Sequence, residues 1–89
     1  MSSEPTRKSR VLMVDDDREY LGVCIIIFRD AGRHVTACSD FNEGRRQLAE
    51  DHFDALIADV RLGAYNGLHL IALAAPSMIK IALSAFSIR

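Results

Sequence analysis

Short apolar runs alternate along this chain with segments of helical periodicity. Residues 11–14 form a continuous apolar run that ends at three consecutive aspartates. A run of this kind is typical of a strand buried on both faces of a parallel sheet. By the same reasoning, three further strands are predicted at residues 34–38, 53–58 and 78–83.

Caps and apolar spacing predict a first helix after the first strand. The spacing i, i+3, i+4 and i+7 is carried by Leu21, Cys24, Ile25 and Phe28. Asp17 can cap a helix that begins at Arg18, and Gly32 can end it. The three isoleucines at positions 25–27 favour a strand when taken alone, but the caps and the spacing together favour the helix.

A second helix is predicted over about residues 41–50, with Ser39 or Asp40 as its cap. Gly44 lies within this segment and is expected to weaken the helix by up to about 1 kcal/mol. The Asn66-Gly67 pair predicts a loop, and a short third helix over residues 68–75 follows before a proline. Strands that alternate with helices in this way predict a parallel α/β sheet with helices on both faces.

Length and composition fit one small globular domain. The chain has 89 residues, of which 49% are hydrophobic and 26% charged. Residues 1–10 are polar and contain no apolar stretch of the kind found in a secretory signal, so they are expected to form a disordered tail before a domain over residues 11–89. No apolar run approaches the roughly 18 residues of a membrane span. The net charge of −1 argues against direct binding to nucleic acid or to a membrane surface.

The cysteines and histidines are not arranged as a catalytic or zinc site. Cys24 and Cys38 lack metal-site spacing and are expected to be buried thiols in a reducing cytoplasm. The three histidines are scattered over different segments and are assigned no role.

Carboxylates and a hydroxyl follow three of the predicted strands. Asp15 and Asp16 come after the first strand, Asp59 after the third and Ser84 after the fourth. Ligands of an open parallel sheet bind beyond these carboxyl ends, near the point where the strand order reverses. Converging carboxylates repel one another unless a hard cation is present, and Mg²⁺ prefers oxygen ligands. A carboxylate beside such a cation can accept a phosphoryl group, which the Ser84 hydroxyl could then sense.

Three segments together resemble the signatures of response-regulator receiver domains of two-component signalling: VLMVDDD, ALIADVRLGAYNG and KIALSA. The resemblance covers residues 11–85 and implies a flavodoxin-like, doubly wound parallel sheet. It implies that Asp59 is the phosphoacceptor and a metal ligand, and that Asp15 and Asp16 are the acidic pair that holds Mg²⁺, with Asp16 as the direct ligand. Arg61 would contribute its backbone carbonyl to the metal, and Ser84 would be the switch hydroxyl. The phosphoryl donor of the family is a phosphohistidine on a sensor histidine kinase.

The sequence departs from the family pattern in two respects. Leu62, Gly63 and Asn66 stand where Met, Pro and Asp are more usual. The family pattern also continues with a fourth helix, a fifth strand that ends in a lysine, and a fifth helix, so the chain is expected to be an incomplete receiver of about four strands and three helices. Lys80 lies too far back along its strand to replace that lysine. The fourth strand is then expected to be an open sheet edge through which the chain self-associates, for example as a homodimer.

Two other functions remain open on the sequence. A phosphatase of the haloacid dehalogenase type would use Asp15 as nucleophile and Asp17 as acid or base, but it leaves Asp59 unexplained and needs a larger core. The stronger alternative is a shortened receiver that binds a partner or itself independently of phosphorylation. The two receiver interpretations differ in whether Asp59 can be phosphorylated.

Overall fold

The computed structural model of the protein describes residues 8–62 and 65–83. In chain order its elements are β1 (Arg10–Val14), α1 (Arg18–Asp30), β2 (His34–Cys38), α2 (Phe41–Glu50), β3 (Ala55–Asp59), β4 (Arg61–Leu62), β5 (Tyr65–Asn66), α3 (Leu68–Leu73) and β6 (Ile79–Leu83). None of the helices in the described part of the chain is long and apolar enough to cross a membrane.

The main sheet has four parallel strands in the order β2-β1-β3-β6. β1 occupies the interior of the sheet, where Val14 pairs with Cys38 of β2 on one side and with Ala58 of β3 on the other. The chain therefore moves outward in one direction from β1 to β2, and then crosses back to β3 and on to β6. This reversal is the mark of a doubly wound sheet, and the predicted flavodoxin-like fold class is confirmed.

Two hydrophobic clusters cover the two faces of this sheet. On one face Val11, Met13 and Ile57 pack against Leu21 and Cys24 of α1. The opposite face carries Leu12, Val14, Leu56 and Ala58, which pack with residues of α2 and α3. Alternate residues of β1 and β3 thus enter different clusters, because successive side chains of a strand point to opposite faces. Both strands are buried on both sides, which explains their continuous apolar sequences.

The predicted Asp17 cap is confirmed, and of the two residues predicted for the second cap, Ser39 and Asp40, the cap is Asp40. The Asp17 carboxylate accepts a hydrogen bond from the Tyr20 N–H at 3.1 Å, and the Asp40 carboxylate accepts one from the Glu43 N–H at 2.8 Å. Each bond satisfies one of the N–H groups that the first turn of a helix leaves without an intrahelical partner. Gly32 follows α1 with a φ of 79°, a left-handed conformation that glycine adopts without steric cost.

Several element boundaries differ from the prediction. Phe53 and Asp54 precede β3 instead of belonging to it, because the Asp54 carboxylate turns back to accept the Arg10 N–H at 2.7 Å. Arg10 belongs to β1, and the Ser9 carbonyl accepts the His34 N–H at 2.8 Å, so the predicted disordered tail of residues 1–10 is too long at its carboxyl end. Residues 1–7 lie outside the described residues.

The segment after β3 also departs from the prediction. Its residues were expected to form a loop, but β4 and β5 pair antiparallel, with Arg61 opposite Asn66. α3 ends at Leu73, two residues earlier than predicted, and β6 begins at Ile79. Short pairings such as this one depend on contacts with the rest of the fold, so apolar periodicity does not reveal them.

Gly44 is a packing residue and not merely a weak point of its helix. A Cβ atom at this position would lie 2.9 Å from Cγ2 and 3.2 Å from Cγ1 of Val14. The absence of a side chain therefore allows α2 to approach β1 closely. Gly22, in α1, is exposed, and a Cβ added there would have no atom within 4 Å.

Substitution by alanine should have opposite effects on stability at Gly22 and at Gly44. Gly22→Ala should stabilise the protein by about 0.5–1 kcal/mol, since alanine has the higher helix propensity and no contact is disturbed. Gly44→Ala gains the same propensity but crowds a stiff, buried valine, and overpacking costs about 1–3 kcal/mol. We expect a net loss of about 1 kcal/mol in the free energy of unfolding, measured by urea denaturation. An equal gain in both variants would contradict the close packing of α2 on β1.

Candidate functional site

The carboxyl ends of β1 and β3 bring three aspartates together. Asp15 directly follows β1, and Asp59 is the last residue of β3. Because Val14 and Ala58 are paired, the next residue on each strand lies at the same sheet edge. Carboxylate oxygens of Asp15, Asp16 and Asp59 all lie within 4.8 Å of one another. The predicted convergence of these three side chains is confirmed.

Asp15 is the buried member of this acidic cluster. It is 6% exposed, and its Oδ1 accepts a hydrogen bond from the Asp17 N–H at 2.9 Å. Burial raises the pKa of the Asp15 carboxyl, and the negative charges of Asp59 and Asp16 raise it further, whereas the Asp17 N–H lowers it. Without a positive charge nearby, ionisation of Asp15 beside Asp16 and Asp59 is therefore unfavourable.

Asp16 and Asp59 are more accessible. Asp16 is exposed and Asp59 is half-buried. The Arg61 N–H donates to Oδ1 of Asp59 at 3.0 Å, while Oδ2 receives no hydrogen bond from the described part of the chain. The backbone thus holds one of the two carboxylate oxygens of Asp59.

The backbone around Asp59 is fixed from two sides. The Val60 N–H donates to the Leu83 carbonyl of β6, and the Gly67 N–H donates to the Val60 carbonyl, both at 2.9 Å. A Cβ atom on Gly67 would lie 1.8 Å from the carbonyl oxygen of Asp59. Only glycine fits so close to that peptide. Sequence reasoning placed Gly67 in a loop and did not detect this contact, although an Asn-Gly pair shortly after a strand-end aspartate was the available signal.

The remaining predicted site residues are placed as follows. Arg61 begins β4, and its N–H contacts Asp59, while the role of its carbonyl in metal binding stays a prediction. Ser84 lies outside the described residues; Leu83, the residue before it, pairs with Asp59. Lys80 pairs with Leu56, well before the carboxyl edge, as expected. Asp17 caps α1, which is the structural role predicted for it.

The two cysteines are free and buried, as predicted. Burial raises the pKa of the Cys38 thiol to about 11, and the nearby carboxylates of Glu43 and Asp40 add to this effect. Cys38 is therefore an un-ionised thiol at neutral pH and belongs to the core. It offers no nucleophile to the site.

Comparison with known proteins identifies the family. Residues 11–86 match the response regulator receiver domain. The alginate biosynthesis transcriptional regulatory protein AlgB of Pseudomonas aeruginosa is 30% identical over 90 residues, which cover 98% of this chain and 20% of AlgB. The chain thus spans about a fifth of the length of this relative.

Solved structures show the same fold. A CheY-like receiver domain protein from Methanospirillum hungatei superimposes with a TM-score of 0.86 at 26% identity, covering 91% of this chain and 67% of that one. A Burkholderia pseudomallei response regulator, solved with a phosphorylated aspartic acid, a calcium ion and citrate, superimposes with a TM-score of 0.80 at 20% identity, covering 90% and 49%.

The chain belongs to the response regulator receiver domain family of two-component signalling. Domains of this family are signalling modules that interact with histidine kinases, and they typically bind Mg²⁺ at an acidic pocket. The acidic cluster of Asp15, Asp16 and Asp59 lies where such a pocket is expected for a doubly wound sheet.

The contact between Gly67 and Asp59 can be tested with Gly67→Ala. The added Cβ meets a backbone carbonyl, which cannot rotate away as a side chain can, so the turn must shift. We expect the free energy of unfolding to fall by about 2 kcal/mol or more. We also expect a change in the NMR shift of the Arg61 amide, which reports its bond to Asp59. Gly22→Ala is the matched control. If the unfolding free energy of Gly67→Ala lay within about 0.5 kcal/mol of the wild-type value, the close approach of Gly67 to Asp59 would be contradicted.

Proposed function

We propose that this chain is cytoplasmic and accepts a phosphoryl group on Asp59 from a sensor histidine kinase, with Mg²⁺ held by Asp15, Asp16, Asp59 and the backbone carbonyl of Arg61. The observation that carries the proposal is the convergence of three carboxylates, with oxygens within 4.8 Å of one another, at the reversal point of the sheet.

The donor set suits Mg²⁺ in chemistry and in charge. Mg²⁺ takes oxygen ligands and usually retains several waters beside one or two carboxylates. Here one carboxylate is buried, one is half-buried and one is exposed, so the site is open on its solvent side. Burial and the neighbouring carboxylates together raise the pKa of Asp15, and the two positive charges of Mg²⁺ would favour its ionised form. Asp16, as the exposed member, is assigned as the direct ligand of the acidic pair.

Asp59 is assigned the role of nucleophile. Its Oδ2 would attack the phosphorus of the donor phosphohistidine, so that an O–P bond forms while the P–N bond breaks and the imidazole leaves. The Arg61 N–H, which donates to Oδ1, holds the carboxylate in a fixed orientation during this step. When bound, Mg²⁺ supplies positive charge that stabilises the phosphoryl oxygens. Ser84 is assigned as the hydroxyl that then hydrogen-bonds to the new oxygens.

Exposed apolar side chains support a second candidate function, that of a phosphorylation-independent interaction or dimerisation module. Ile79 and Ile81 of β6 are 63% and 45% exposed, and Ile26 and Ile27 of α1 are 62% and 60% exposed. Large exposed apolar groups of this kind occur at protein interfaces. In this alternative, a partner or a second copy contacts β6, and phosphorylation of Asp59 is not required.

Metal binding should depend on the acidic cluster. Titration of the wild type with Mg²⁺ by calorimetry should show saturable binding, and Asp16→Asn and Asp59→Asn should each weaken it at least about tenfold, since each removes the negative charge of a direct ligand. Asp30→Asn, an equal change of charge at an exposed position in the last turn of α1, is the control. Both cluster variants should fold, because removing one carboxylate relieves repulsion. Equal Mg²⁺ affinity in all four proteins would refute the site.

Phosphorylation should require Asp59. Mass spectrometry after treatment with acetyl phosphate and Mg²⁺ should show one added phosphoryl group in the wild type and in Asp30→Asn, and none in Asp59→Asn. Beryllofluoride should shift the NMR signals of the same site. Incorporation that survives Asp59→Asn would show that another residue is the acceptor. Complete absence of incorporation in the wild type would favour the interaction module.

A further inference from the structure

A second concave site lies at the opposite edge of the sheet from the acidic cluster. It is formed where α1 ends and β2 begins, and its volume is about 280 Å³. We refer to it as the basic cavity. Its lining residues are Lys8, Arg29, Arg33, His34 and Val35.

The basic cavity carries a concentrated positive charge. Three of its five lining residues are permanent cations, the fourth is a histidine, and none is a carboxylate. Within residues 8–62 and 65–83, Lys8, Arg29 and Arg33 form no salt bridge, whereas Arg10 and Arg46 each pair with a carboxylate. Cations that come together without a counter-charge repel one another, and a bound anion would relieve that repulsion.

One cation of the basic cavity is already oriented. Nη1 of Arg33 donates to the Ser9 hydroxyl at 2.7 Å, and the His34 N–H donates to the Ser9 carbonyl at 2.8 Å. These two bonds hold the segment that carries Lys8 against the start of β2. A guanidinium held in this way loses less conformational entropy when it binds an anion.

Two neighbouring negative groups, the Asp51 carboxylate and the last carbonyls of α1, are engaged elsewhere. The carboxylate of Asp51 accepts both arms of the Arg10 guanidinium at 3.0 and 2.6 Å, and these bonds are the main cause of its lowered pKa, to which His34 adds a smaller effect. The last carbonyls of α1 carry the negative end of the helix dipole. Those of Ile27, Phe28 and Arg29 accept hydrogen bonds from the N–H groups that follow the helix. Neither the Asp51 carboxylate nor the last carbonyls of α1 therefore neutralise the positive charge of the basic cavity.

We propose that the basic cavity is a binding site for a small molecule with a diphosphate group. A guanidinium presents paired N–H donors that match phosphate oxygens, and Lys8 adds a point charge. A single phosphate monoester carries about −1.5 to −2 at neutral pH, so two linked phosphates match three permanent cations better than one. The volume of the basic cavity suits a small anion rather than a whole cofactor. The site is independent of Asp59 and its phosphorylation.

Pyrophosphate is the probe for this site, used with the 89-residue chain in buffer free of divalent cations. Calorimetry should give saturable binding with a Kd in the millimolar range or tighter, and NMR should show shifts confined to the Arg33, His34 and Val35 region. Inorganic phosphate should bind more weakly. If sodium chloride at equal ionic strength reproduces the same shifts, only charge screening is present and the proposal is overturned.

A matched pair of double variants tests whether pyrophosphate binds in the basic cavity. Arg29→Gln/Arg33→Gln should weaken pyrophosphate binding at least about tenfold, because charge-assisted hydrogen bonds are lost. Arg45→Gln/Arg46→Gln, the same charge change on α2, should leave the affinity nearly unchanged. Lys8→Gln, which lies outside the helices and strands, should also weaken binding and serves if the first double variant fails to fold.

Two outcomes would overturn the basic cavity as the site. One is an equal loss of affinity in both arginine double variants, which would show a response to net charge alone. The other is a loss of pyrophosphate binding in Asp59→Asn, which would place the anion at the acidic edge. The Asp59→Asn protein retains the basic cavity. Pyrophosphate binding to it therefore tests the basic cavity independently of whether Asp59 is the phosphoacceptor.

Discussion

The parallel pairing of β1 with β3 is the contact on which the acidic site depends. Val14 and Ala58 lie side by side in the interior of the sheet, so Asp15 and Asp59 must emerge together at its carboxyl edge. Both strands are buried on both faces, and the carboxylates cannot separate without disturbing the core. The burial of Asp15 raises its pKa, and the charges of Asp59 and Asp16 raise it further. A divalent cation bound in a receiver domain would relieve the repulsion between these carboxylates, and the repulsion therefore favours its binding.

Backbone N–H groups orient the carboxylates that the strands bring together. The N–H groups of Asp17 and Arg61 each donate to one carboxylate of the cluster, while the side chain of Asp17 caps α1. Gly67 lets the turn before α3 lie directly against the peptide of Asp59, and Gly44 lets α2 approach β1. These positions show how glycine allows a close approach that any side chain would prevent. The precision of the site rests on these contacts as much as on the acidic residues themselves.

Charge is separated along the direction of the strands. Asp15, Asp16 and Asp59 collect at the carboxyl edge, and Lys8, Arg29, Arg33 and His34 collect around the cavity at the amino edge. A net charge of −1, the sum of 11 basic and 12 acidic residues over the whole chain, conceals this arrangement. Local fields, and not the total charge, decide what each edge can bind. The chain can therefore repel anions at one edge and attract them at the other.

The sequence by itself determined the order of the four main strands and three helices, the Asp17 cap, and the convergence of Asp15, Asp16 and Asp59, and it narrowed the second cap to Ser39 or Asp40. These features follow from local rules, since apolar runs, cap residues and strand ends are read within a few neighbouring positions. Only the tertiary structure decided the β4–β5 pairing, the exclusion of Phe53 and Asp54 from β3, and the roles of Gly44 and Gly67. The basic cavity belongs to this second group. Its residues come from three separate segments, and folding alone brings them to one place.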